Sequence, residues 1–367
     1  MPASAPPSTC PTRSWTSSGN SARRSAARRT STRLPLAAND HGSEPSSTNP
    51  RGPRPSARAV FPAPGSERTL RPMTHQVWRM ANGRSIVLDR PRIIAVLNLT
   101  PDSFHEASRV PSPSAAVDVA RRALDEGADA LDLGGESTRP GAARVPADVQ
   151  IERVVPALRA IRAGGGALAD APVSVDTTLG AVARAALDAG ADVINDVAAG
   201  TEDPTVLPLV AERGAGIIVM HRLAPPDRDS YSDRYSTPPV YADVAGEVAA
   251  FLGERLRAAT AAGIHPDAIV LDPGLGFGKT VEQNAELMRK VGHLLAFGRP
   301  VLCAVSRKSF VGRLASPGVE TAPADRLAGS VSLAVQQCLS GVRLFRVHDV
   351  RAHAEALRAV WGVMPRG

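Results

Sequence analysis

Residues with functional side chains recur in this sequence directly after short apolar runs, or near the end of one. They are Asn98, Asp176, Asn195, His221, Asp272, Ser306, Lys308, Arg346 and His348. A single Asn, Asp or Ser in such a place commonly caps the helix that follows. The repetition at successive runs, with several large charged side chains among them, favours one shared site over a series of helix caps.

Three of these residues suit a flat, donor-rich ring. Asp176 and Asp272 offer carboxylates, and Asn195 offers both an acceptor and a donor. A carboxylate pairs well with an N–C–N edge through two parallel hydrogen bonds. We therefore predict that they form the acidic floor of a site for a heterocycle that carries N–H and amino groups.

The last two apolar runs supply positive charge to the same site. Arg307, Lys308, Arg346 and His348 come from these runs. Guanidinium and ammonium groups bind anionic oxygens, and arginine does so with two parallel hydrogen bonds. A basic rim around an acidic floor predicts a substrate with a donor-rich ring and an anionic group such as a phosphate or pyrophosphate.

Strands that end in these residues must meet at one place, and the pattern of the chain predicts such an arrangement. Eight short apolar runs lie at 93–97, 130–133, 172–175, 192–194, 216–220, 268–271, 300–305 and 342–347. Segments of helical composition lie between them, such as 115–126, 240–262 and 324–339. Alternating strands and helices predict right-handed βαβ units, and eight units in about 270 residues fit a closed (β/α)8 TIM barrel, whose active sites lie at the carboxyl ends of the strands. We expect residues 83–90 to form a short hairpin or strand that closes the bottom of the barrel.

The chain has 367 residues and a formal net charge of +7, which is concentrated in its first part. Residues 1–72 contain 11 arginines against Asp40, Glu44 and Glu67, so the remainder is near neutral and no nucleic-acid partner is indicated. The same part is rich in Ser, Pro, Ala and Arg without apolar periodicity, and we predict a disordered extension over 1–72 before a barrel domain over 73–367. A translation start placed too far upstream, with Met73 or Met80 as the true start, and a transit peptide are the alternatives.

The cysteines and the hydropathy favour a cytoplasmic protein. Cys10, Cys303 and Cys338 provide no disulfide framework, which is typical of a reducing compartment. No run reaches the roughly 18 apolar residues that a membrane span requires. We therefore expect no membrane association.

Seven stretches of the sequence are recognisable when taken together. They are LNLTPDSF (97–104), DLGGESTRPGA (132–142), SVDTT (174–178), INDVAAG (194–200), LDPGLGFGKT (271–280), VSRKSFVG (305–312) and FRVHDV (345–350). In order and spacing they resemble the dihydropteroate synthase family of folate biosynthesis, from about residue 91 to about residue 360. The resemblance implies a TIM-barrel transferase that condenses 6-hydroxymethyl-7,8-dihydropterin pyrophosphate with p-aminobenzoate, giving 7,8-dihydropteroate and pyrophosphate.

The resemblance also implies which residues would handle the pyrophosphate. Asn98 would bind a Mg²⁺ cofactor that helps to hold this group, and Arg346 and His348 would clamp it. Thr138 would contact the pterin pyrophosphate from the second loop. The implied catalytic residues are Lys308, Arg346 and His348.

The two organic substrates would be bound by the remaining matching residues. Asp176, Asn195 and Asp272 would read the pterin at the barrel floor. Lys308 would contact the pterin and border the aminobenzoate. The residues implied for the aminobenzoate side and its surroundings are Ser137, Arg139, Pro140, Ser306 and Arg307.

The resemblance implies a mechanism and an assembly as well. The C–O bond to pyrophosphate would break early, leaving a cationic pterin methylene that the arylamine nitrogen attacks, so Cys303 and Ser306 need not act as nucleophiles. The first two loops would exclude water. A homodimer through the late helices is expected on the same ground.

The chain departs from the family pattern mainly in the first loop. Where relatives continue TPDSF with Ser-Asp-Gly-Gly, this chain has the run 105–109, His-Glu-Ala-Ser-Arg. Glycines let such a loop fold over a site, so their loss leaves a non-catalytic pterin- or folate-binding paralogue as an alternative. A pterin-dependent methyltransferase would share the floor but has no need of Lys308, Arg346 and His348. The Gly-Phe-Gly-Lys segment lacks the spacing of a phosphate loop, and we expect Lys279 to support the loop that covers the pterin.

Overall fold

The computed structural model describes residues 76–99 and 112–364, in which the eight apolar runs form eight parallel strands. A short antiparallel hairpin precedes them. The strands are β1 (Val77–Arg79), β2 (Ser85–Val87), β3 (Arg92–Asn98), β4 (Ala130–Gly134), β5 (Val173–Asp176), β6 (Val193–Asp196), β7 (Gly216–Met220), β8 (Ile269–Asp272), β9 (Leu302–Cys303) and β10 (Leu344–Val347). The parallel strands pair in the order β8-β7-β6-β5-β4-β3-β10-β9, and a parallel bridge from Leu271 to Val301 joins the two ends. The predicted (β/α)8 barrel is confirmed.

At least one helix follows each barrel strand and packs on its outer surface. The helices are α1 (Pro113–Asp125), α2 (Ala147–Ala163), α3 (Gly166–Asp170), α4 (Gly180–Asp188), α5 (Val206–Glu212), α6 (Val244–Ala261), α7 (Val281–Arg289), α8 (Gly292–Leu295), α9 (Ser309–Ala315), α10 (Leu327–Leu339) and α11 (Val350–Val363). The three helices predicted from composition correspond to α1, α6 and α10. Helix α6 begins four residues later than predicted, where Glu247 accepts hydrogen bonds from the backbone N–H groups of Ala242 and Asp243. No helix within the described ranges is both long and apolar enough to cross a membrane.

Side chains of each strand alternate between the helices outside and the barrel interior, as the pleat requires. In β4, Leu131 and Leu133 join the large apolar core beneath the helices, whereas Asp132 between them faces inward. The inward positions of β5, β6 and β8 follow the same rule. The alternation therefore places a ring of polar residues inside the carboxyl-terminal half of the barrel.

The hairpin of β1 and β2 closes the opposite end of the barrel. Trp78 pairs with Ile86 across the hairpin, and both pack against the first inward residues of the strands. These residues are Ile94, Ala130, Val193, Ile218, Val270, Leu302 and Leu344. The predicted closing element at 83–90 is confirmed, and it extends back to Val77.

Two regions named in the sequence analysis lie outside the described residues. They are the 1–72 extension and the altered first loop at 105–109. The described cysteines, Cys303 and Cys338, are buried and unpaired.

Candidate active site

Asp132 is the centre of a hydrogen-bond network at the barrel floor. Its side chain is fully buried, and it accepts hydrogen bonds from Arg346 Nε at 2.6 Å and Asn195 Nδ2 at 3.3 Å. The hydroxyl of Ser174 donates to its other oxygen. A buried carboxylate is stable only when it is paired and hydrogen-bonded, and Arg346 supplies the opposite charge.

Arg346 also pairs with Asp176, the carboxylate at the end of β5. Arg346 Nη2 donates to Asp176 Oδ2 at 3.0 Å. Burial raises the pKa of Asp176 to about 7, although the Arg346 charge acts in the opposite direction. The sequence suggested a basic rim that includes Arg346, whereas the structure places this guanidinium deeper, between two floor carboxylates.

Asn195 and Asp272 complete the floor with groups suited to a ligand. Among the described residues no donor reaches Asn195 Oδ1, although this oxygen is buried. Asp272 accepts a hydrogen bond from the backbone N–H of Gly274 at 2.7 Å. Burial raises the pKa of Asp272, and the neighbouring Lys308 is the strongest of the groups that lower it. A buried polar atom without a partner is rare in native proteins, so Asn195 Oδ1 marks a position where a ligand donor fits.

Lys308 lies above Asp272 and is held by the loop that follows β8. Its ammonium group donates to the carbonyl oxygen of Leu275 and lies 4.5 Å from the centre of the Phe277 ring. Burial lowers the pKa of Lys308 to about 8, and Asp272 raises it. This lysine therefore remains mostly charged at neutral pH, beside the acidic floor.

His348 and Ser306 lie side by side at the rim. Ser306 Oγ accepts the backbone N–H of His348 at 3.1 Å and lies 3.1 Å from His348 Nδ1. Burial and the charges of Arg346 and Arg307 lower the pKa of His348 to about 3. A lowered pKa favours the neutral ring at neutral pH, in which His348 adds no positive charge to the rim. Its neutral ring can still donate one hydrogen bond.

Arg307 points to a different partner. It forms an ion pair with Asp349, with Nε 2.9 Å from Oδ2. Its backbone has a φ of +61°, and Ser330 Oγ accepts its N–H at 3.0 Å. Arg307 thus braces the turn that presents Ser306 and Lys308.

The second loop, residues 135–146, carries Thr138 and Arg139 on the carboxyl-terminal face. Thr138 is half-buried and Arg139 is exposed. The backbone N–H of Gly141 donates to Pro226 O at 2.7 Å, which ties the loop to the segment after β7. The structure therefore brings both predicted residues to the same end of the barrel as the floor.

A network of partly exposed charges anchors this loop. Glu136 accepts the N–H of Val145 at 2.9 Å and so closes the loop on itself. Glu202, from the segment after β6, lies 3.1 Å from Arg144 Nη1 and also accepts a hydrogen bond from Arg222. Nothing in the sequence pattern indicated this network.

Asn98 ends β3 in register with Gly134, on the same face as Asp176. It is half-buried. Within residues 76–99 and 112–364, no group of three or more His, Cys, Asp or Glu side chains is placed to hold a metal. A single amide oxygen fits Mg²⁺ nevertheless, because this ion usually takes few protein ligands and completes its shell with substrate phosphates and water.

Sequence reasoning missed one residue that organises the site. Asp132 enters the sequence analysis only within the DLGGESTRPGA stretch (132–142), yet it joins Arg346 to Asn195. Lys279 was expected to support the loop that covers the pterin, and it is fully buried against the carbonyl groups of that loop. The alternation of inward and outward side chains would have identified Asp132. It lies two residues before Gly134, which pairs with Asp176 in the neighbouring strand, so Asp132 and Asp176 face the same side of the sheet.

Comparison with known proteins gives one consistent family. Residues 94–348 match the family described as pterin binding enzyme. The dihydropteroate synthase of Mycobacterium leprae (strain TN) is 42% identical over 271 residues, which cover 73% of this chain and 92% of that protein. The Xanthomonas albilineans dihydropteroate synthase solved with 4-aminobenzoic acid is 39% identical, with a TM-score of 0.69 over 80% of this chain and 100% of that one. The same enzyme solved in complex with 7,8-dihydropteroate is 37% identical, with a TM-score of 0.66 over 78% and 100%.

Proposed function

Because this chain belongs to the dihydropteroate synthase family of pterin-binding enzymes, we propose that it is a folate-biosynthesis transferase. It condenses 6-hydroxymethyl-7,8-dihydropterin pyrophosphate with p-aminobenzoate and releases 7,8-dihydropteroate and pyrophosphate. The observation that carries this proposal is the buried floor of Asp176, Asn195 and Asp272, where Asn195 Oδ1 has no donor among the described residues. The similarity to dihydropteroate synthases extends over nearly the whole length of those relatives, which supports the same activity.

The floor is suited to the donor edge of the pterin. A carboxylate accepts two parallel hydrogen bonds from an N–C–N edge, which assigns Asp272 or Asp176 to the amino-pyrimidine side of the ring. Asn195 Oδ1 takes a further ring donor. Lys308 covers the ring from the side of β9.

The opposite end of the ring carries the leaving group. The C–O bond to pyrophosphate breaks, the arylamine nitrogen forms a C–N bond with the methylene carbon, and the nitrogen then loses a proton. Arg346, through the N–H groups that Asp132 and Asp176 leave free, and His348 donate to the departing oxygens. Such donors act most strongly on charge that grows in the transition state. Asn98 would hold a Mg²⁺ ion, whose charge would further stabilise the leaving group.

No protein nucleophile takes part in this reaction. Burial raises the pKa of the Cys303 thiol to about 12, so it remains protonated and unreactive. Ser306 is occupied with His348. The p-aminobenzoate lies instead between Lys308, Ser306 and the second loop, where Thr138 and Arg139 are presented.

The wider organisation of the chain is also proposed. Residues 73–367 form the catalytic domain, and residues 1–72 are dispensable for activity. Exposed leucines on α9 and α10, which are Leu314, Leu327 and Leu339, support a homodimer through these helices. The buried, unpaired cysteines fit a reducing cytoplasm,.

The purified chain tests the proposal directly. Mixing it with the pterin pyrophosphate and p-aminobenzoate should release pyrophosphate with Mg²⁺ present and should stop when a chelator removes the metal. A chain trimmed to residues 73–367 should retain this activity and should run as a dimer in light scattering. Pterin binding without product would favour the non-catalytic paralogue, and methyl transfer to or from a pterin would favour the methyltransferase.

A further inference from the structure

A buried lysine lies beside the floor, outside the set of residues that contact substrate in the proposed function. The side chain of Lys279 is inaccessible to solvent. Its Nζ lies 3.0 Å from Gly274 O, 2.9 Å from Phe277 O and 3.0 Å from His221 Nδ1. An ammonium group has three donors, and each has one partner here. Burying an ammonium group in this way is costly and lowers the pKa of Lys279 to about 7. The group is therefore fully charged only below neutral pH, and the arrangement needs a reason.

The imidazole partner is neutral and serves as an acceptor. Burial and the charge of Lys279 lower the pKa of His221 to about 3. The edge of the His221 ring packs on Phe251, with ring centres 5.0 Å apart at 90°. His221 is therefore part of the packing around Lys279.

The two carbonyl partners belong to the loop that follows β8, residues 273–278. Gly274 has a φ of +66°, and a Cβ at this position would lie 1.8 Å from His221 O. Gly276 has a φ of +83°, and its Cβ would lie 2.8 Å from Lys308 Cδ. The loop is thus pressed between the end of β7 and Lys308, and Lys279 fixes both of its ends.

The same loop holds two residues of the pterin site. Lys308 donates to Leu275 O and lies over the Phe277 ring. Asp272 accepts the N–H of Gly274 at 2.7 Å. A displacement of the loop would therefore move Lys308 and the donor to Asp272 together.

We propose that Lys279 is a positioning residue of the pterin site, which holds the 273–278 loop so that Lys308 and Asp272 are set for the ring. The inference rests on the proposed function, because it takes the floor to be the pterin site. Lys279 itself touches neither substrate nor the reacting atoms.

The charges around Lys279 add a second effect, which a purely structural residue would lack. Lys279 faces Asp272, Lys308 and Asp229, the last of which accepts the N–H of Gly278 at 3.0 Å. Burial raises the pKa of Asp272, while Lys308, Arg346 and Lys279 lower it. Removing the Lys279 charge should therefore raise the pKa of Asp272 further. If pterin binding needs the Asp272 carboxylate, the variant should lose binding at a higher pH than the wild type does when the solution is acidified.

Lys279→Met keeps the aliphatic stem and removes the charge and the donors. We expect it to weaken pterin binding, measured by titration calorimetry, by about tenfold or more, the scale of losing one hydrogen bond to a charged group. The pH below which binding is lost should be higher than in the wild type. Lys279→Arg, which keeps a charged donor, should recover part of the affinity. Lys279→Gln, a neutral donor, should recover affinity without returning the pH dependence to that of the wild type.

Lys290→Met is the matched control, because Lys290 is an exposed lysine paired with Glu286, and it should bind as the wild type does. If Lys279→Met is less stable to heat yet binds pterin with the wild-type affinity and pH profile, the inference is overturned. If it does not fold, wild-type behaviour of Lys279→Gln overturns it equally. Failure of the wild-type chain itself to bind a pterin would contradict the proposed function instead.

Discussion

The floor and the second loop both depend on ion pairs, but the pairs differ in burial and in the elements that carry them. At the floor, Asp132, Asp176 and Arg346 come from β4, β5 and β10 and lie inside the barrel. At the second loop, Glu202 lies between Arg144 and Arg222, and the loops that carry these residues are partly exposed. Carboxylate–arginine ion pairs therefore stabilise both the buried floor and the partly exposed second loop of the site.

The difference in depth predicts a difference in consequence. Breaking a buried pair leaves an uncompensated charge and strongly destabilises a protein, whereas a partly exposed pair contributes little and is screened by salt. Strands also hold side chains more firmly than loops do. The floor should be rigid and intolerant of change, and the second loop should adjust substrate affinity without affecting the fold.

Arg346→Met gives the largest expected effect, because it leaves Asp132 and Asp176 buried without their cation. We expect the free energy of unfolding to fall by about 3–5 kcal/mol at neutral pH, as measured by urea titration. The chemical step should slow as well, since a donor to the departing pyrophosphate is lost. Arg213→Met, which breaks an exposed pair with Asp188, is the control and should cost less than about 1 kcal/mol.

The loss in Arg346→Met should also depend on pH in a defined direction. The folded-state pKa of Asp176 is already raised to about 7, and removing the cation raises it further. A carboxyl whose folded pKa exceeds its unfolded value destabilises the fold above that folded pKa and has no such effect below the unfolded one. The variant should therefore lose less stability at mildly acidic pH than at alkaline pH. An equal loss at both would show that Asp176 is not coupled to Arg346.

Asp272→Asn tests the floor from the ligand side. Removing one charge of a desolvated hydrogen-bonded pair should weaken pterin binding by about 2–5 kcal/mol, as measured by calorimetry. Asp267→Asn is the control, since Asp267 lies before the opposite end of β8 and pairs with Arg299. A loss below about 0.5 kcal/mol, far under that scale, would show that Asp272 does not face the ring.

The floor could be predicted from the sequence to a large extent, and the reason is the geometry of strands. A period of two fixes the face of each residue, so Asp176, Asn195 and Asp272 had to point inward once the eight runs were strands. Helix capping, the competing interpretation, does not apply to these three residues, because the helices α4, α5 and α7 that follow them have Leu179, Thr205 and Thr280 at their N-caps.

The remaining features depend on contacts between segments that are distant in sequence. Arg346 reaches Asp132 across 214 residues, and its depth follows from which strands are neighbours in the closed barrel. The neutral state of His348 follows from burial and from Arg346 and Arg307, which no motif encodes. The ion pairs of Glu202 with Arg144 and Arg222 join three loops. Loops have no regular repeat, so the sequence pattern does not predict these contacts.

Glu202→Gln gives the smallest expected effect and examines the other half of the comparison. The substitution keeps the shape of the side chain and removes the charge that lies between Arg144 and Arg222. It should weaken the anchoring of the second loop by at most about 1 kcal/mol, the scale of a partly exposed pair. Because we propose that this loop presents Thr138 and Arg139 to the p-aminobenzoate, we expect the KM for that substrate to rise by a few-fold, while pterin affinity and the unfolding temperature stay close to the wild type.

Salt provides the decisive check on this smallest effect. Steady-state assays at low and high ionic strength should show the KM difference between Glu202→Gln and the wild type shrinking as salt rises, since salt screens the partly exposed ion pairs that only the wild type has. Glu212→Gln, at an exposed glutamate on α5, should match the wild type throughout. A loss of pterin affinity or of stability as large as that of the floor variants would mean that the second loop is part of the rigid floor, and the distinction between the two depths would not hold.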